Sequence, residues 1–356
     1  MNWYWFDSPV SPIRFIAAGF GFGPRVAAEN LADDLGLTID RWHSAKDKAT
    51  NSFRESRLLL NFGVVDPDWA SIDPKNKVFI DCLMWLRDRQ PDITSDYKAI
   101  LAETFFPTQD ELRGNPAPVI DIQPLIANLG SRDPNQKERL VISFGGVNTP
   151  FSTHTHRIEM PLAVIEAFDI ASQHLQSEME VMCFLPVDIC EEVGRGANLS
   201  HVKLHLADRK HFRDTLRKAS AYVIQPGLYG PLEAFRLGIP THFVFPMSYT
   251  QCCQLNAFRN AKLLRNVPLL DSMEDILTGL SRDVDEAEPT CFQSLERWWN
   301  EQNSGNLRDE FNIWAETVIS NASVPGDLTE KRYRYAKAVD KKPTALEVLA
   351  MEGLLP

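Results

Sequence analysis

The chain has 356 residues, of which 44% are hydrophobic and 24% charged, a composition typical of a folded protein long enough for about two domains. Its 37 basic and 48 acidic side chains give a net charge of −11, which argues against the broad basic surface of a nucleic-acid or anionic-membrane binder. No apolar run approaches the roughly 20 residues that cross a bilayer. The N-terminal residues show no signal-peptide pattern. None of the six cysteines belongs to a Cys-x-x-Cys pair. We therefore expect a reduced, cytoplasmic protein without integral membrane association.

The first elements of the chain alternate between strand and helix. Residues 13–18 form an apolar run, a glycine-rich loop follows, and a helical pattern then continues to Gly36. Strand, glycine loop and helix in this order begin a parallel α/β sheet. Further apolar runs bounded by turn residues predict strands at 58–62, 77–80, 98–101 and 119–122.

A polar stretch at residues 129–138 divides the chain into two halves. We predict an N-terminal domain at 1–134, a C-terminal domain at 135–325, and a helical tail at 326–356 that could pack back on the first domain. The second half has predicted strands at 139–144, 180–185, 202–206, 221–225 and 241–245 and predicted helices at 160–174, 212–219, 231–237, 311–319 and 330–340. The predicted fold class is α/β, with two Rossmann-like, doubly wound domains.

The strongest motif joins the strand at 221–225 to the helix at 231–237. Gly227 and Gly230 form the turn, and Pro231 lies in the first turn of the helix, where its missing N–H costs nothing. A helix start fronted by glycines presents free N–H groups and partial positive charge to an anion. Such a turn can hold a diphosphate without lysines, although a plain strand-to-helix turn explains the same residues equally well.

This segment resembles the donor-binding motif of GT-B glycosyltransferases, among them the UDP-glycosyltransferases and the N-acetylglucosaminyltransferase of peptidoglycan synthesis. The positions in register with the motif are Gly227, Glu233, Ala234, Gly238 and Pro240, whereas Gln225 replaces a His or Arg and Gly230 replaces a Thr. The resemblance implies a GT-B fold, in which two Rossmann-like domains face an interdomain cleft. It also implies that Glu233 binds the ribose hydroxyls and that the backbone of Gly227, Leu228, Tyr229 and Gly230 holds the diphosphate. The alternative for Glu233 is an acid in the first helical turn that complements the helix dipole.

Other segments in the second half resemble the same family. After the strand at 139–144, the resemblance implies that Gly145 and Gly146 approach the donor phosphates and that Thr149 and Ser152 donate hydroxyl groups. A glycine pair after a strand is also a common turn. The segment at 246–257 implies a sugar contact from Gln251 or Gln254. His211 and Phe212 stand where the family cradles the nucleobase.

The N-terminal glycine loop stands in the place of the family's acceptor-side loop. The implied acceptor-side residues are Gly19, Phe20, Gly21, Phe22, Gly23 and Arg25. Many members carry a histidine here as general base, but this sequence has none. Arg25 either contacts an anionic acceptor or is a solvated arginine at a helix end.

Two residues are candidates for the missing catalytic base. Asp81 ends the predicted strand at 77–80, where strand ends face the crevice of such sheets, although it is equally well explained as a turn aspartate. His154 follows the loop of Gly145 and Gly146. His154 and His156 have the spacing of a metal-binding pair in an extended segment, but no third ligand follows, so we predict neither a metal nor a cofactor.

Together the motifs predict a metal-independent, inverting glycosyltransferase that moves a sugar from a nucleotide-sugar, expected to be a UDP-sugar, to a small polar acceptor. A nucleotide-sugar hydrolase or epimerase of the same fold is one alternative, since the usual histidine is missing. A non-catalytic binding protein is another, because Gln225, Pro24 and Gly230 depart from the family's pattern. None of these hypotheses involves a nucleic acid.

Overall fold

A computed structural model of the chain describes its elements and the connections adjoining them. The described residues are 2–7, 13–19, 23–37, 43–44, 58–62, 77–83, 86, 97–106, 118–133, 138–145, 147, 149–176, 178–280, 284–302, 307–322 and 326–355. They form two compact units, one comprising residues 1–127 and 337–356 and the other residues 128–336.

The first unit is built on a seven-stranded sheet. Its strands are β1 (Asn2–Asp7), β2 (Ile13–Gly19), β3 (His43–Ser44), β4 (Leu58–Phe62), β5 (Lys77–Asp81), β6 (Ala99–Glu103) and β7 (Val119–Ile122). The strand order is β3-β1-β2-β4-β5-β6-β7. Strands β2 and β4 to β7 are parallel, whereas β1 pairs antiparallel with both β2 and β3. Strands β4, β5 and β6 are buried along their whole length, which is why they read as continuous apolar runs in the sequence.

Helix α1 (Gly23–Asp34) follows β2 directly. Two residues beyond its end, Gly36 has a φ of +68°, the left-handed conformation that glycine adopts without strain. The amide of Leu37 then bonds the carbonyl of Ala32 and closes the helix. At the other end of the unit, the backbone N–H of Gln123 donates to the carbonyl of Pro343, which joins the C-terminal residues to the segment after β7.

The second unit is built on a five-stranded parallel sheet. Its strands are β8 (Arg139–Ser143), β9 (Glu180–Leu185), β10 (Val202–Leu206), β11 (Ala221–Ile224) and β12 (Thr241–Phe243). The order β10-β9-β8-β11-β12 is that of a doubly wound sheet. The chain moves outward from β8 to one edge and then returns to β11 on the other side of β8. This reversal is a topological switch point, where ligands bind in open α/β sheets.

Helices connect these strands and continue to the end of the chain. A π-helical turn (Thr155–Glu159) precedes α2 (Met160–His174), and a 3-10 turn (Asp271–Met273) precedes α7. The other helices are α3 (Val187–Gly196), α4 (Arg209–Leu216), α5 (Tyr229–Arg236), α6 (Tyr249–Asn260), α7 (Glu274–Thr278), α8 (Val284–Gln302), α9 (Leu307–Ser320), α10 (Asp327–Val339) and α11 (Ala345–Met351).

The fold class predicted from the sequence is confirmed, because both units are α/β structures with five parallel strands at their centre. Four helix starts differ from the prediction, and two of them are those of α9 and α10, which begin at Leu307 and Asp327 rather than at residues 311 and 330. The helix predicted at 212–219 begins at Arg209, because the side chain of Asp208 caps it by accepting the backbone N–H of His211 at 2.7 Å. The helix predicted at 231–237 begins at Tyr229. The N-terminal strand β1 was not predicted.

The C-terminal helix α10 is fixed to the second unit by a buried arginine. Arg332 is 3% exposed, and its guanidinium donates to the carbonyl oxygens of Leu263 and Thr241. The same group lies over the rings of Phe235 and Phe243, at 5.3 and 5.4 Å from their centroids. Burial lowers the pKa of Arg332 to about 9.

We expect Arg332→Ala to lower the free energy of unfolding by about 3 kcal/mol, because two buried carbonyl groups lose their donor and the rings lose a packing partner. Urea denaturation of the whole chain measures the change. Arg334→Ala, on the same helix, is the matched control: Arg334 is 74% exposed and pairs only with Glu330 among the described residues, so little change is expected. Equal decreases in the free energy of unfolding in the two variants would contradict a stabilising role for the buried contacts of Arg332.

Candidate functional site

The candidate site lies at the carboxyl edge of the second sheet, where β8 and β11 end side by side. Ser143, the last residue of β8, is the register partner of Ile224, the last residue of β11. The loops that follow the two strands therefore start from neighbouring positions. The first loop contains Gly145, and the second contains Gln225 and Gly227. The predicted phosphate-binding segments thus begin at the switch point.

Gln225 is the residue of this edge whose environment is least satisfied. It follows β11 directly and is 2% exposed, yet neither its amide nitrogen nor its amide oxygen has a hydrogen-bonding partner among the described residues. Buried side-chain polar atoms in proteins are bonded in the large majority of cases, and each one left without a partner costs about 1–3 kcal/mol. A ligand group that both donates and accepts hydrogen bonds would satisfy both atoms.

Glu233 lies on α5, one turn beyond the glycine turn. It is 5% exposed, and its negative charge contributes to raising the pKa of Tyr222, after the larger effect of burial. Because α5 begins at Tyr229, no acidic residue lies in its first turn. Glu233 is the fifth residue of the helix, so the sequence-based placement of Glu233 in the first turn is wrong. Its burial therefore is not explained by the helix dipole, whose effect falls off within the first turn.

A side chain at Gly230 would require a neighbouring side chain to move. A Cβ atom at this position would lie 2.6 Å from Cδ1 of Ile224 and 3.2 Å from the hydroxyl oxygen of Tyr222. The first of these distances is shorter than any normal contact between heavy atoms. The residue that departs from the family's threonine is thus a glycine for a steric reason: two side chains of β11 fill the space beside the first turn of α5. The remaining residues of the turn, Leu228 and Tyr229, are buried.

The loop after β8 has an open glycine and a hydroxyl pair. A Cβ at Gly145 would meet nothing within 4 Å, so a ligand can approach the backbone closely there. Thr149 and Ser152 bond each other, with 2.9 Å between their hydroxyl oxygens, and the amide of Thr149 donates to the Ser152 hydroxyl. These two hydroxyls therefore stabilise the conformation of the loop through hydrogen bonds within it. Gly146 lies outside the described residues.

Gln251 connects the loop after β8 to the loop after β12. Its amide nitrogen donates to the carbonyl of Gly145 at 3.1 Å, and its amide oxygen accepts the backbone N–H of Met247 at 2.7 Å. Gln251 and Gln254 are both buried in α6. The contacts of Gln251 fix the position of the Gly145 carbonyl. Because these contacts use the amide oxygen and one amide hydrogen of Gln251, the predicted sugar contact would have to come from its second amide hydrogen or from Gln254.

His211 and Phe212 belong to an aromatic cluster at the carboxyl ends of β9 and β10. Their rings lie 5.3 Å from that of Phe184, and His205 lies 5.2 Å from His211. Burial, and secondarily the neighbouring His211, lower the pKa of His205. The cluster places aromatic rings at the carboxyl ends of β9 and β10, next to β8.

The two candidate bases differ in accessibility. Asp81 is the last residue of β5 and is fully buried, and its carboxylate accepts the backbone N–H of Leu83 at 2.8 Å. This contact is that of a turn aspartate. The side chain of His154 is 62% exposed, with its Nδ1 3.4 Å from Glu192. Of the two side chains, only that of His154 is accessible to a substrate.

The predicted acceptor-side residues lie in the first unit. Gly19 ends β2 and Gly23 begins α1, whereas Phe20, Gly21 and Phe22 lie outside the described residues. The guanidinium of Arg25 donates to the carboxylate of Glu29 at 3.0 Å, one turn along the helix. This pair is the contact expected of an arginine at the surface of a helix.

His156 has a surrounding that the sequence did not indicate. It is fully buried, its Nδ1 lies 2.9 Å from the hydroxyl of Thr153, and that hydroxyl donates to Glu296. Burial lowers its pKa, although the negative charge of Glu296 acts in the opposite direction. His154 is exposed while His156 is buried, so the two do not form a pair. Among the residues described, no three His, Cys, Asp or Glu side chains cluster as metal ligands would.

No helix in the described part of the chain combines the length and the apolar character needed to span a membrane.

We expect Gly230→Ala to destabilise the protein by about 1–3 kcal/mol, because the added methyl group overpacks the space between β11 and α5. Adding Ile224→Val removes the Cδ1 atom and should recover part of the loss. Thermal denaturation measures both effects. Gly196→Ala is the control, since a Cβ there meets nothing within 4 Å; if Gly230→Ala were tolerated as well as this control, the steric explanation would be wrong.

No protein-family model and no curated protein sequence matches the chain. Among solved structures, the spinosyn rhamnosyltransferase SpnG is 13% identical, with 92% of this chain and 78% of that chain covered and a TM-score of 0.47. The glycotransferase of kitacinnamycin is 11% identical, over 93% and 80% of the two chains, with a TM-score of 0.46. MurG of Acinetobacter baumannii is 11% identical, over 92% and 98%, with a TM-score of 0.38. The solved structures that the chain resembles in its α/β fold are GT-B glycosyltransferases, and a likeness of this degree assigns no role to any residue.

Proposed function

We propose that the protein is a glycosyltransferase that binds a nucleotide-sugar, expected to be a UDP-sugar, at the switch point of the second unit and transfers the sugar to a small polar acceptor. The observation that carries the proposal is the side chain of Gln225, which is buried without partners beside a glycine turn. The buried Glu233 follows on the next helix.

Glu233, Gln225 and the glycine turn would each bind a different part of the nucleotide-sugar. A carboxylate accepts hydrogen bonds, so Glu233 suits vicinal ribose hydroxyls and repels a phosphate. A carboxamide both donates and accepts, so Gln225 suits a phosphate oxygen or a sugar hydroxyl. The backbone N–H groups at the start of α5 and near the open Gly145 would then bind the diphosphate. Donors of this kind bind an anion without a basic surface, which fits a chain with a net charge of −11.

The chemistry that we propose is displacement at the anomeric carbon with inversion. The bond from carbon to the diphosphate oxygen breaks as the acceptor hydroxyl attacks and loses its proton. Preorganised N–H groups stabilise the charge that develops on the leaving diphosphate, so the proposal needs no metal ion and no cofactor. Either His154 or Asp81 would accept the proton, and the accessible ring of His154 makes it the first to test.

The acceptor would bind in the first unit, near the glycine loop between β2 and α1. The proposed acceptor-side residues are those of the loop, Gly19 to Gly23, together with Arg25.

We expect UDP, at 100 times its dissociation constant, to add about 2.7 kcal/mol to the stability of the wild-type protein. Glu233→Gln should weaken UDP binding by about 10-fold or more, because the neutral amide loses the charge-assisted contacts to the ribose. A thermal-shift titration with UDP, dTDP, ADP, GDP and CMP measures both effects.

Glu288→Gln is the matched control for this experiment. Glu288 is also a buried glutamate of the second unit, 8% exposed, and burial raises its pKa to about 7, so the neutral amide is a mild change at neutral pH. The control should keep the full UDP response. A wild-type protein that responds to no nucleotide would contradict the proposed function, and a full response in Glu233→Gln would remove the role of Glu233.

Product analysis separates transfer from its alternatives. A transferase releases UDP from a UDP-sugar faster when a suitable acceptor is present, and the sugar appears on that acceptor. Release at the full rate without any acceptor would identify a hydrolase, and binding without turnover would identify a non-catalytic binding protein. His154→Gln should slow transfer while UDP affinity is unchanged.

A further inference from the structure

We propose that the hydroxyl groups of Ser143 and Tyr222 act as a pair that binds the diphosphate of the nucleotide, with Ser143 in contact with it and Tyr222 as the positioning residue. The inference rests on the proposed function and adds to it two residues to which the sequence analysis assigned no role.

The two hydroxyls meet at the carboxyl edge of the sheet. Tyr222 lies on β11 and is 1% exposed, and its hydroxyl oxygen is 2.6 Å from the hydroxyl oxygen of Ser143, the last residue of β8. This distance is at the short end of the range for hydrogen bonds between hydroxyls. Ser143 itself is only partly buried. The bond therefore links the two central strands where their loops diverge, with Ser143 on the accessible side.

The same tyrosine hydroxyl lies beside the start of α5. It is 3.2 Å from the position that a Cβ of Gly230 would take, in the second residue of that helix. The absence of a side chain at Gly230 therefore leaves the tyrosine hydroxyl close to the backbone of the first turn. The free N–H groups of a helix start lie in this turn, so the hydroxyl pair and these N–H groups converge on one region.

The hydrogen count leaves one donor for a ligand. Two hydroxyl groups carry two hydrogens, and one of these is used in the bond between them. Within the described part of the chain, the two oxygens bond only each other. Either hydroxyl can be the donor within the pair, so in both arrangements one hydrogen remains for a ligand, and Ser143 is the more accessible of the two residues. An acceptor such as a phosphate oxygen would complete the arrangement.

The charge state of the pair is suited to an anion. Burial raises the pKa of Tyr222 far above its ordinary value, and the negative charge of Glu233 adds to this effect, while the bond from Ser143 opposes it. The phenol is therefore neutral at neutral pH, so it does not repel an anionic ligand as a carboxylate would.

The experiment compares diphosphates with nucleosides. Calorimetric titration of wild type, Ser143→Ala, Tyr222→Phe and the double variant with UDP, dTDP, ADP and GDP, and with the corresponding nucleosides, measures the dissociation constants. We expect each single variant to bind its diphosphate about 10-fold more weakly, the loss expected for one hydrogen bond to a charged group. Nucleoside affinity should not change, and the double variant should be no weaker than Ser143→Ala.

Two control variants keep the test decisive. Ser143→Thr retains the hydroxyl and should restore diphosphate binding, which also decides the question if Tyr222→Phe does not fold. Ser172→Ala removes another buried serine hydroxyl of the same unit and should leave both ligands unaffected. Wild-type affinity for the diphosphate in both single variants, or equal losses for diphosphate and nucleoside, would overturn the proposal and leave a purely structural bond. If the wild type binds no diphosphate, the proposed function itself fails.

Discussion

The parallel pairing of β8 with β11 is the constraint on which the candidate site depends. These strands are far apart in the sequence, at residues 139–143 and 221–224, yet they are neighbours at the centre of the second sheet. Parallel strands end at the same edge, so their pairing brings the open Gly145 next to the buried Gln225. The reversal of strand order at this point leaves room between the two loops. Gln225, Glu233 and the backbone N–H groups that we assign to the donor lie in or beside these loops.

Neutral donors, rather than lysines or arginines, define the chemistry of this edge. The polar groups are a carboxamide, a hydroxyl pair and backbone amides, and the one charged side chain that we assign to it, Glu233, is an acid. A negative group close to a diphosphate site is unfavourable unless the ligand presents hydroxyls to it, as a ribose does. The acidic composition of the chain and a nucleotide ligand are thus compatible, because recognition would depend on the direction of hydrogen bonds more than on net charge.

Strands such as β4 and β9 were predictable because a strand that is buried on both faces appears in the sequence as an apolar run. The segment 58–62 of β4 and the segment 180–185 of β9 were predicted with their observed bounds. Strand β1 was not, since its antiparallel pairing with β2 depends on a partner that local sequence does not specify. The start of α4 shifted because Asp208 caps it, a signal present in the sequence that the prediction did not use.

The motif residues were found from the sequence, but their contacts were not. The position of Gln225 follows from its register with the family's motif, whereas the lack of partners for its amide depends on the packing around β11. The bond between Ser143 and Tyr222 requires the strand register, and the link from Gln251 to Gly145 joins segments that are distant in the chain. The spacing of residues along the chain predicts which residues a loop contains. Contacts between residues of different strands can be identified only once the fold is known.

The most direct measurement of the central claim concerns Gln225, whose unsatisfied amide we interpret as a ligand contact. Gln225→Met keeps the length of the side chain and removes both polar atoms. The account predicts that the ligand-free variant melts at a higher temperature than wild type, because a buried polar group without partners has been removed, and that its response to UDP is lost. A variant that melts lower and still responds fully to UDP would contradict the account.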